Sequence, residues 1–142
     1  MRALLDVNVL IALLDASHVS HASATQWFAE HVHLGWASCP ITQNGCLRVM
    51  ASPGYPNTQP MTAITERLFD ATAHASHEFW VDDVSALDAN AVDMTRVHGP
   101  RQLTDVYLLA LAVRRGGRLV TFDQSIPRTA VRGATPRHLV VL

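Results

Sequence analysis

The sequence contains no lysine, only two cysteines and no long apolar run. Its apolar segments fall well short of the roughly 20 residues that a membrane-spanning helix needs. No further Cys completes a zinc pattern with Cys39 and Cys46, and we interpret these two residues as buried thiols rather than as a disulfide. Because the N-terminal segment lacks a basic region and a cleavage site, we expect no signal peptide and a cytoplasmic protein.

Charged residues are also scarce, at 16% of the chain, while 49% of the residues are hydrophobic. This composition is typical of a globular chain and excludes a disordered one. A chain of 142 residues is long enough to bury a substantial core. We therefore predict a single domain over residues 1–142.

The net charge of −1 conceals an uneven distribution along the chain. Residues 1–95 carry three Arg against ten Asp or Glu, a net charge of −7, whereas residues 96–142 carry eight Arg against two Asp, a net charge of +6. A basic C-terminal third could contact a phosphate backbone. Ordinary solvation of surface Arg explains the same pattern, and the composition alone leaves both explanations open.

Strand-like apolar segments alternate with helical patterns along the whole chain. We predict strands at residues 2–7, 35–38, 78–81, 118–121 and 138–142. We predict helices at residues 8–14, 22–32, 41–50, 62–75, 85–97 and 104–115. This alternation, without hairpin signals, predicts an α/β fold with helices on both faces of a central parallel sheet of about five strands.

The stretch from Ala3 to Leu14 is almost wholly apolar but contains Asp6 and Asn8. An ionised carboxylate in such surroundings is costly unless a cation, a metal or backbone donors pair with it. If a strand ends at Asp6 and turns directly into a helix, the carboxylate lies at the edge of the sheet where open α/β proteins bind ligands. Capping of the following helix is a simpler role for Asp6, and the two roles are compatible.

Two further acids have a similar placement. Asp105 opens a predicted helix, where an acid suits the helix dipole, and Asp123 follows an apolar strand, where an Asx-turn would explain it. Asp6, Asp105 and Asp123 would nevertheless repel one another at a shared sheet edge, and a divalent cation explains their grouping best. Oxygen ligands without Cys favour Mg²⁺ or Mn²⁺. Such a metal beside an Arg-rich segment suggests phosphodiester hydrolysis.

Other doubly wound proteins fit these residues less well. A phosphoacceptor receiver domain needs a Lys near its last strand, and this chain has none. A haloacid-dehalogenase-type phosphatase needs a second acid two residues after the first, where this chain has Asn8. A nucleotide-binding domain needs a glycine-rich loop after its first strand, and residues 6–14 contain no Gly.

Three segments, in this order, together resemble the PIN-domain ribonucleases, and most closely the VapC toxins of bacterial VapBC type II toxin–antitoxin modules. These segments are Leu5–Ile11, Leu103–Asp105 with Leu108–Ala112, and Leu119–Asp123. The segment Trp36–Gly45, with Arg48 after it, also resembles a VapC subgroup. The resemblance covers essentially the whole chain.

The resemblance implies a three-layer α/β/α fold and Mg²⁺- or Mn²⁺-dependent endonucleolytic cleavage of RNA, with tRNA or rRNA as the class of substrate. It also implies a homodimer and inhibition by a cognate VapB-type antitoxin, whose tail would occupy the active-site groove. Carried over by position, the metal-binding catalytic acids would be Asp6, Asp105 and Asp123. The supporting polar groups would be Asn8, Thr104 and Thr121.

The sequence departs from the family at one position of the expected site. The family usually has a Glu on the helix after the second strand, and here Gln43 occupies that place. Glutamine can accept a hydrogen bond or ligate through its carbonyl, but it carries no charge. We keep Gln43 as a candidate catalytic residue. The alternative is a PIN-like module that binds RNA or an antitoxin and has weak or no nuclease activity.

Overall fold

Five strands and five α-helices alternate in the computed structural model, which describes residues 1–142. The strands are β1 (Ala3–Leu5), β2 (Trp36–Ser38), β3 (His77–Phe79), β4 (Arg118–Thr121) and β5 (Leu139–Val141). The helices are α1 (Val7–Leu14), α2 (His21–His31), α3 (Pro40–Met50), α4 (Met61–Thr72) and α5 (Leu103–Arg114).

All five strands are parallel and form one sheet in the order β3-β2-β1-β4-β5. The central strand, β1, therefore lies between β2 and β4, with Leu5 in register with Val120. Neighbouring strands are only about 4.8 Å apart. The residues that follow β1 and β4 are consequently close together at the carboxyl edge of the sheet.

Helices cover both faces of the sheet because alternate residues of each short strand point to opposite sides. Leu4 belongs to the apolar core against α5, whereas Leu5 belongs to the core formed with α1, α3 and α4. This three-layer arrangement confirms the predicted α/β/α fold with a central parallel sheet. No helix in the structure is both long and apolar enough to cross a membrane. Cys39 and Cys46 are buried free thiols, as predicted.

The helix predicted over residues 85–97 is wrong. Only a single 3₁₀ turn, Met94–Arg96, forms there. Asp88 accepts a hydrogen bond from the Asn90 amide, and Asp93 accepts one from the Thr95 amide. These short polar side chains capture nearby backbone donors and so compete with a helix. The segment also pairs with the C-terminal loop through an isolated antiparallel bridge between Val92 and Val131.

Gly45 allows α3 to pack closely against the start of α1. A Cβ atom at position 45 would lie 2.6 Å from Cγ2 of Val7, which is too close for two carbon atoms. Val7 directly follows Asp6, so this contact fixes the helix turn that carries the first acid. The glycine is needed here for the space that it leaves.

We expect Gly45→Ala to lower the free energy of unfolding by roughly 1–3 kcal/mol, because the added methyl group overpacks the contact between α1 and α3. Urea denaturation of the variant measures this change. Gly54→Ala is the matched control, since a Cβ atom at Gly54 would meet no heavy atom within 4 Å. The same loss for Gly45→Ala in a Val7→Ala background would contradict the steric explanation.

Candidate active site

Asp6 is a buried carboxylate between the end of β1 and the start of α1. Only 6% of the residue is exposed. Its Oδ1 accepts a hydrogen bond of 2.7 Å from the Val7 amide, and its backbone carbonyl accepts the first bonds of α1. Burial raises the pKa of Asp6, although its hydrogen bonds oppose that rise. The capping role and the position at the sheet edge therefore both occur in one residue.

The hydroxyl of Thr121 connects Asp6 to the strand that leads to Asp123. Thr121 is the last residue of β4 and is fully buried. Its Oγ1 donates a hydrogen bond of 2.7 Å to Asp6 Oδ2 and accepts one of 3.0 Å from the Asp123 amide. The register of β1 with β4 places these residues side by side. One hydroxyl thus holds a side chain of one strand end and the backbone of the other.

Asp123 is held in an Asx-turn, as its position after a strand allowed. Its Oδ1 accepts hydrogen bonds from the amide and the hydroxyl of Ser125, at 2.7 and 2.6 Å. These two bonds lower the pKa of Asp123. Asp123 therefore stays ionised and has a fixed orientation, and its structural role does not conflict with a place in the site.

Asp105 lies half-buried in the first turn of α5, close to the other two acids. Burial raises the pKa of Asp105 to about 7. The negative charge of Asp6, a shared hydrogen bond with Asp123 and the charge of Asp123 add to this rise. The structure thus brings together the three acids that the sequence placed at one sheet edge. Burial and the neighbouring acids therefore favour the protonated form of Asp105.

The chemistry of this acid cluster (Asp6, Asp105 and Asp123) fits a hard divalent cation. All the donors are carboxylate oxygens, which are the ligands that Mg²⁺ and Mn²⁺ prefer. A cation would also offset the repulsion that, together with burial, raises the pKa of Asp105. As the side chains stand, however, no group of three or more His, Cys, Asp or Glu residues is arranged so that it could hold a metal ion. The cluster would have to tighten when a cation binds.

The remaining predicted site residues make no hydrogen bond to the acid cluster. Asn8 and Thr104 are exposed, and their side chains make no hydrogen bond within the protein. Gln43 lies in the first half of α3 and donates a hydrogen bond to Ser38 Oγ at 2.9 Å. Of the expected supporting residues, only Thr121 is hydrogen-bonded to an acid.

Ser125 was not among the residues predicted for the site. Its two hydrogen bonds to Asp123 Oδ1 fix that carboxylate more tightly than any other side chain does. A signal for this role was available, because an Asp followed two residues later by Ser is typical of an Asx-turn closed by both backbone and hydroxyl.

The arginines of the C-terminal third divide into two groups. Four of them form surface ion pairs, Arg96 and Arg132 with Asp93, and Arg114 and Arg115 with Asp83. Four others form no ion pair. Arg118 is partly buried and lies over the Trp27 ring, 5.3 Å from the ring centroid, and the remaining three are Arg101, Arg128 and Arg137. Ordinary solvation and pairing therefore explain part of the basic excess, and these three side chains keep a free positive charge.

Comparisons with known proteins agree along the whole chain. A family model described as PIN domain matches residues 3–132. Ribonuclease VapC44 of Mycobacterium tuberculosis is 54% identical over 142 residues, which is 100% of both chains. Ribonuclease VapC39 of the same organism is 45% identical over 135 residues, covering 94% of this chain and 96% of the relative.

The fold also resembles that of a solved structure. The crystal structure of VapBC2 from Rickettsia felis, bound to a DNA fragment from their promoter, contains a chain that superposes with a TM-score of 0.62. The match covers 100% of this chain and 98% of the other, at 11% sequence identity. At that identity the likeness concerns the fold alone.

The raised pKa of Asp105 predicts how the stability of the metal-free protein depends on pH. Folding raises this pKa from its ordinary 3.8 to about 7, so the stability that protonated Asp105 provides is lost as the pH rises through about 7. We expect Asp105→Asn to be more stable than the wild type at pH 8 by roughly 1–3 kcal/mol, after allowance for screening by water. At pH 4 this advantage should disappear.

Urea denaturation at both pH values, in the presence of EDTA, measures the difference. Asp70→Asn is the control, because Asp70 is an exposed acid outside the cluster. An advantage of Asp105→Asn that is the same at pH 4 and pH 8 would show that folding does not raise the pKa of Asp105.

Proposed function

The chain belongs to the PIN-domain family, as a VapC-type ribonuclease, and from that premise we propose that it is a Mg²⁺- or Mn²⁺-dependent endoribonuclease and the toxin of a type II toxin–antitoxin module. The observation that supports the metal dependence is the grouping of the carboxylates of Asp6 and Asp123 beside that of Asp105, where burial and these two neighbours raise the pKa of Asp105 to about 7. Mutual repulsion of this kind is what a bound dication relieves.

Asp6, Asp105 and Asp123 are the residues that would hold the cation. When bound, a divalent cation activates water and stabilises the negative charge that develops on the phosphate. Thr121 and the Val7 amide fix the carboxylate of Asp6, with one hydrogen bond to each oxygen. Ser125 fixes Asp123 through two hydrogen bonds.

Two of the three acids are therefore oriented before a cation arrives, and Asp105 is the adjustable one. No backbone amide or hydroxyl fixes its carboxylate, and burial together with the neighbouring acids raises its pKa to about 7. Preorganised ligands with one adjustable partner favour binding because little order has to be created when the ion enters. Asp105 would complete the set of carboxylates that hold the cation.

RNA of the tRNA or rRNA class is the substrate that we propose, in keeping with the ribonuclease relatives. Arg101, Arg128 and Arg137 are free to contact phosphates, because no acid of the chain pairs with them. We also propose a homodimer and a cognate VapB-type antitoxin. The proposal of an antitoxin is consistent with the VapBC complex that shares this fold.

Gln43 favours a second candidate function. Its side chain is bonded to Ser38 and carries no charge, so the acid cluster has three carboxylates rather than four. Fewer charged ligands mean weaker metal binding. The alternative is therefore a PIN-like module that binds RNA or an antitoxin and cleaves slowly or not at all.

Cleavage of purified cellular RNA by the isolated protein separates the two functions. We expect cleavage with Mg²⁺ or Mn²⁺, none with EDTA, and a loss of roughly 10²-fold or more in Asp6→Asn, because this change removes a charged ligand. Asp70→Asn is the matched control and should cleave like the wild type. Cleavage that survives EDTA or Asp6→Asn would refute the metal-dependent site. A folded wild type that cuts no RNA would favour the binding module.

A further inference from the structure

A short row of hydrogen-bonded side chains runs from α3 to β3 past the end of β2. Gln43 Nε2 lies 2.9 Å from Ser38 Oγ, and Ser38 Oγ lies 2.8 Å from His77 Nε2. Ser38 is fully buried, while Gln43 and His77 are half-buried. No hydrogen bond joins this row to the acid cluster, so it is a separate polar feature of the fold.

The direction of each hydrogen bond follows from the atoms available. The backbone of Thr72 raises the pKa of His77, which is the effect of a carbonyl that accepts a hydrogen bond from the ring. Because Nε2 faces Ser38, Nδ1 is the ring nitrogen that can donate to the Thr72 carbonyl. We therefore assign the ring proton to Nδ1, and Nε2 is then an acceptor. The single hydroxyl proton of Ser38 is donated to Nε2. Ser38 Oγ can then only accept from Gln43, which has to present its NH₂ group.

We propose that Ser38 and His77 are positioning residues that hold the Gln43 amide with Nε2 towards Ser38 and with Oε1 directed away as an open hydrogen-bond acceptor. Oε1 has no donor within the protein. The residue borders a cavity of about 170 Å³ between α3 and α4, which Asn44, Thr65 and Phe69 also line. Any consequence of this orientation for catalysis rests on the proposed function.

The row suits an amide at position 43 and does not suit a carboxylate. In a Gln43→Glu variant the side chain has no hydrogen to donate, so the Ser38 hydroxyl would turn to donate to it. His77 would then have to donate to Ser38 through Nε2 while keeping its bond to Thr72, which requires a doubly protonated ring. Gln43 and a neutral His77 therefore form a matched pair.

Other groups near His77 do not determine the direction of its hydrogen bond with Ser38. Arg2 and Glu78 are the charged residues that act on the ring, and they oppose each other in their effect on its pKa. They also form an ion pair with each other at 3.1 Å. The Trp36 ring packs against His77, with 4.4 Å between the ring centroids, and offers no acceptor on its indole nitrogen. Burial lowers the pKa of His77, in agreement with a neutral ring.

Nitrogen-15 NMR of the imidazole rings in the full chain tests the proposal without reference to RNA cleavage. At pH 7 we expect the wild type to have His77 neutral with the proton on Nδ1. Gln43→Glu should raise the pKa of His77 by about one unit or more, because the row then favours the charged ring. Asn44→Asp is the matched control, since it makes the same amide-to-acid change one residue along at an exposed position. It should shift the pKa far less.

Ser38→Ala in the Gln43→Glu background removes the connecting hydroxyl. We expect the pKa of His77 to return to its value in Ser38→Ala alone. Equal shifts in Gln43→Glu and Asn44→Asp, or a shift that persists without Ser38, would overturn the proposal, since either result would show that charge acts directly through space. The comparison of Gln43→Glu with Asn44→Asp stands even if the Ser38 variant does not fold. A chain that cuts no RNA leaves this test unchanged.

Discussion

The hydrogen bond from Thr121 to Asp6 is the contact on which the rest of the site depends. Burying a carboxylate at the end of a central strand is costly, and Asp6 is only 6% exposed. The Thr121 hydroxyl donates a hydrogen bond to one oxygen of Asp6, which offsets part of the cost of burying the carboxylate. The same hydroxyl accepts a hydrogen bond from the backbone amide of Asp123. Two neighbouring strands of a parallel sheet thereby carry acids in a fixed relation, and the third acid is added from the start of α5.

The carboxylates of the acid cluster repel one another, and no positively charged group of the protein offsets this repulsion. Asp6 and Asp123 are held by neutral donors, which orient charge but do not cancel it. Burial and this repulsion together raise the pKa of Asp105 to about 7. The Gly45 contact with Val7 and the capping of α1 by Asp6 keep the acids in place against this repulsion. The acid cluster thus lowers stability, a cost that is common where function requires buried charge and that the proposed dication would offset.

The sequence was sufficient for the sheet and the three acids because both depend on local patterns. Asp6 and Asp123 each follow an apolar strand, and this position puts both acids at the carboxyl edge of a parallel sheet. Asp105 opens a strongly periodic helix. The helix predicted over residues 85–97 failed because Asp88 and Asp93 capture backbone amides, and helical periodicity does not report that competition. The orientation of Gln43 depends on Ser38 and His77, and His77 is 34 residues further along the chain, so no local pattern indicates it.

The most direct measurement of the central claim is the position of a bound cation. Crystals of the protein soaked in Mn²⁺ and measured at the manganese absorption edge would reveal it as an anomalous peak. We expect one strong peak in contact with carboxylate oxygens of Asp6, Asp105 and Asp123, with Asp105 moved towards the other two. No peak at saturating Mn²⁺, or a peak only at other acids of the surface, would contradict the claim that these three residues form the metal site.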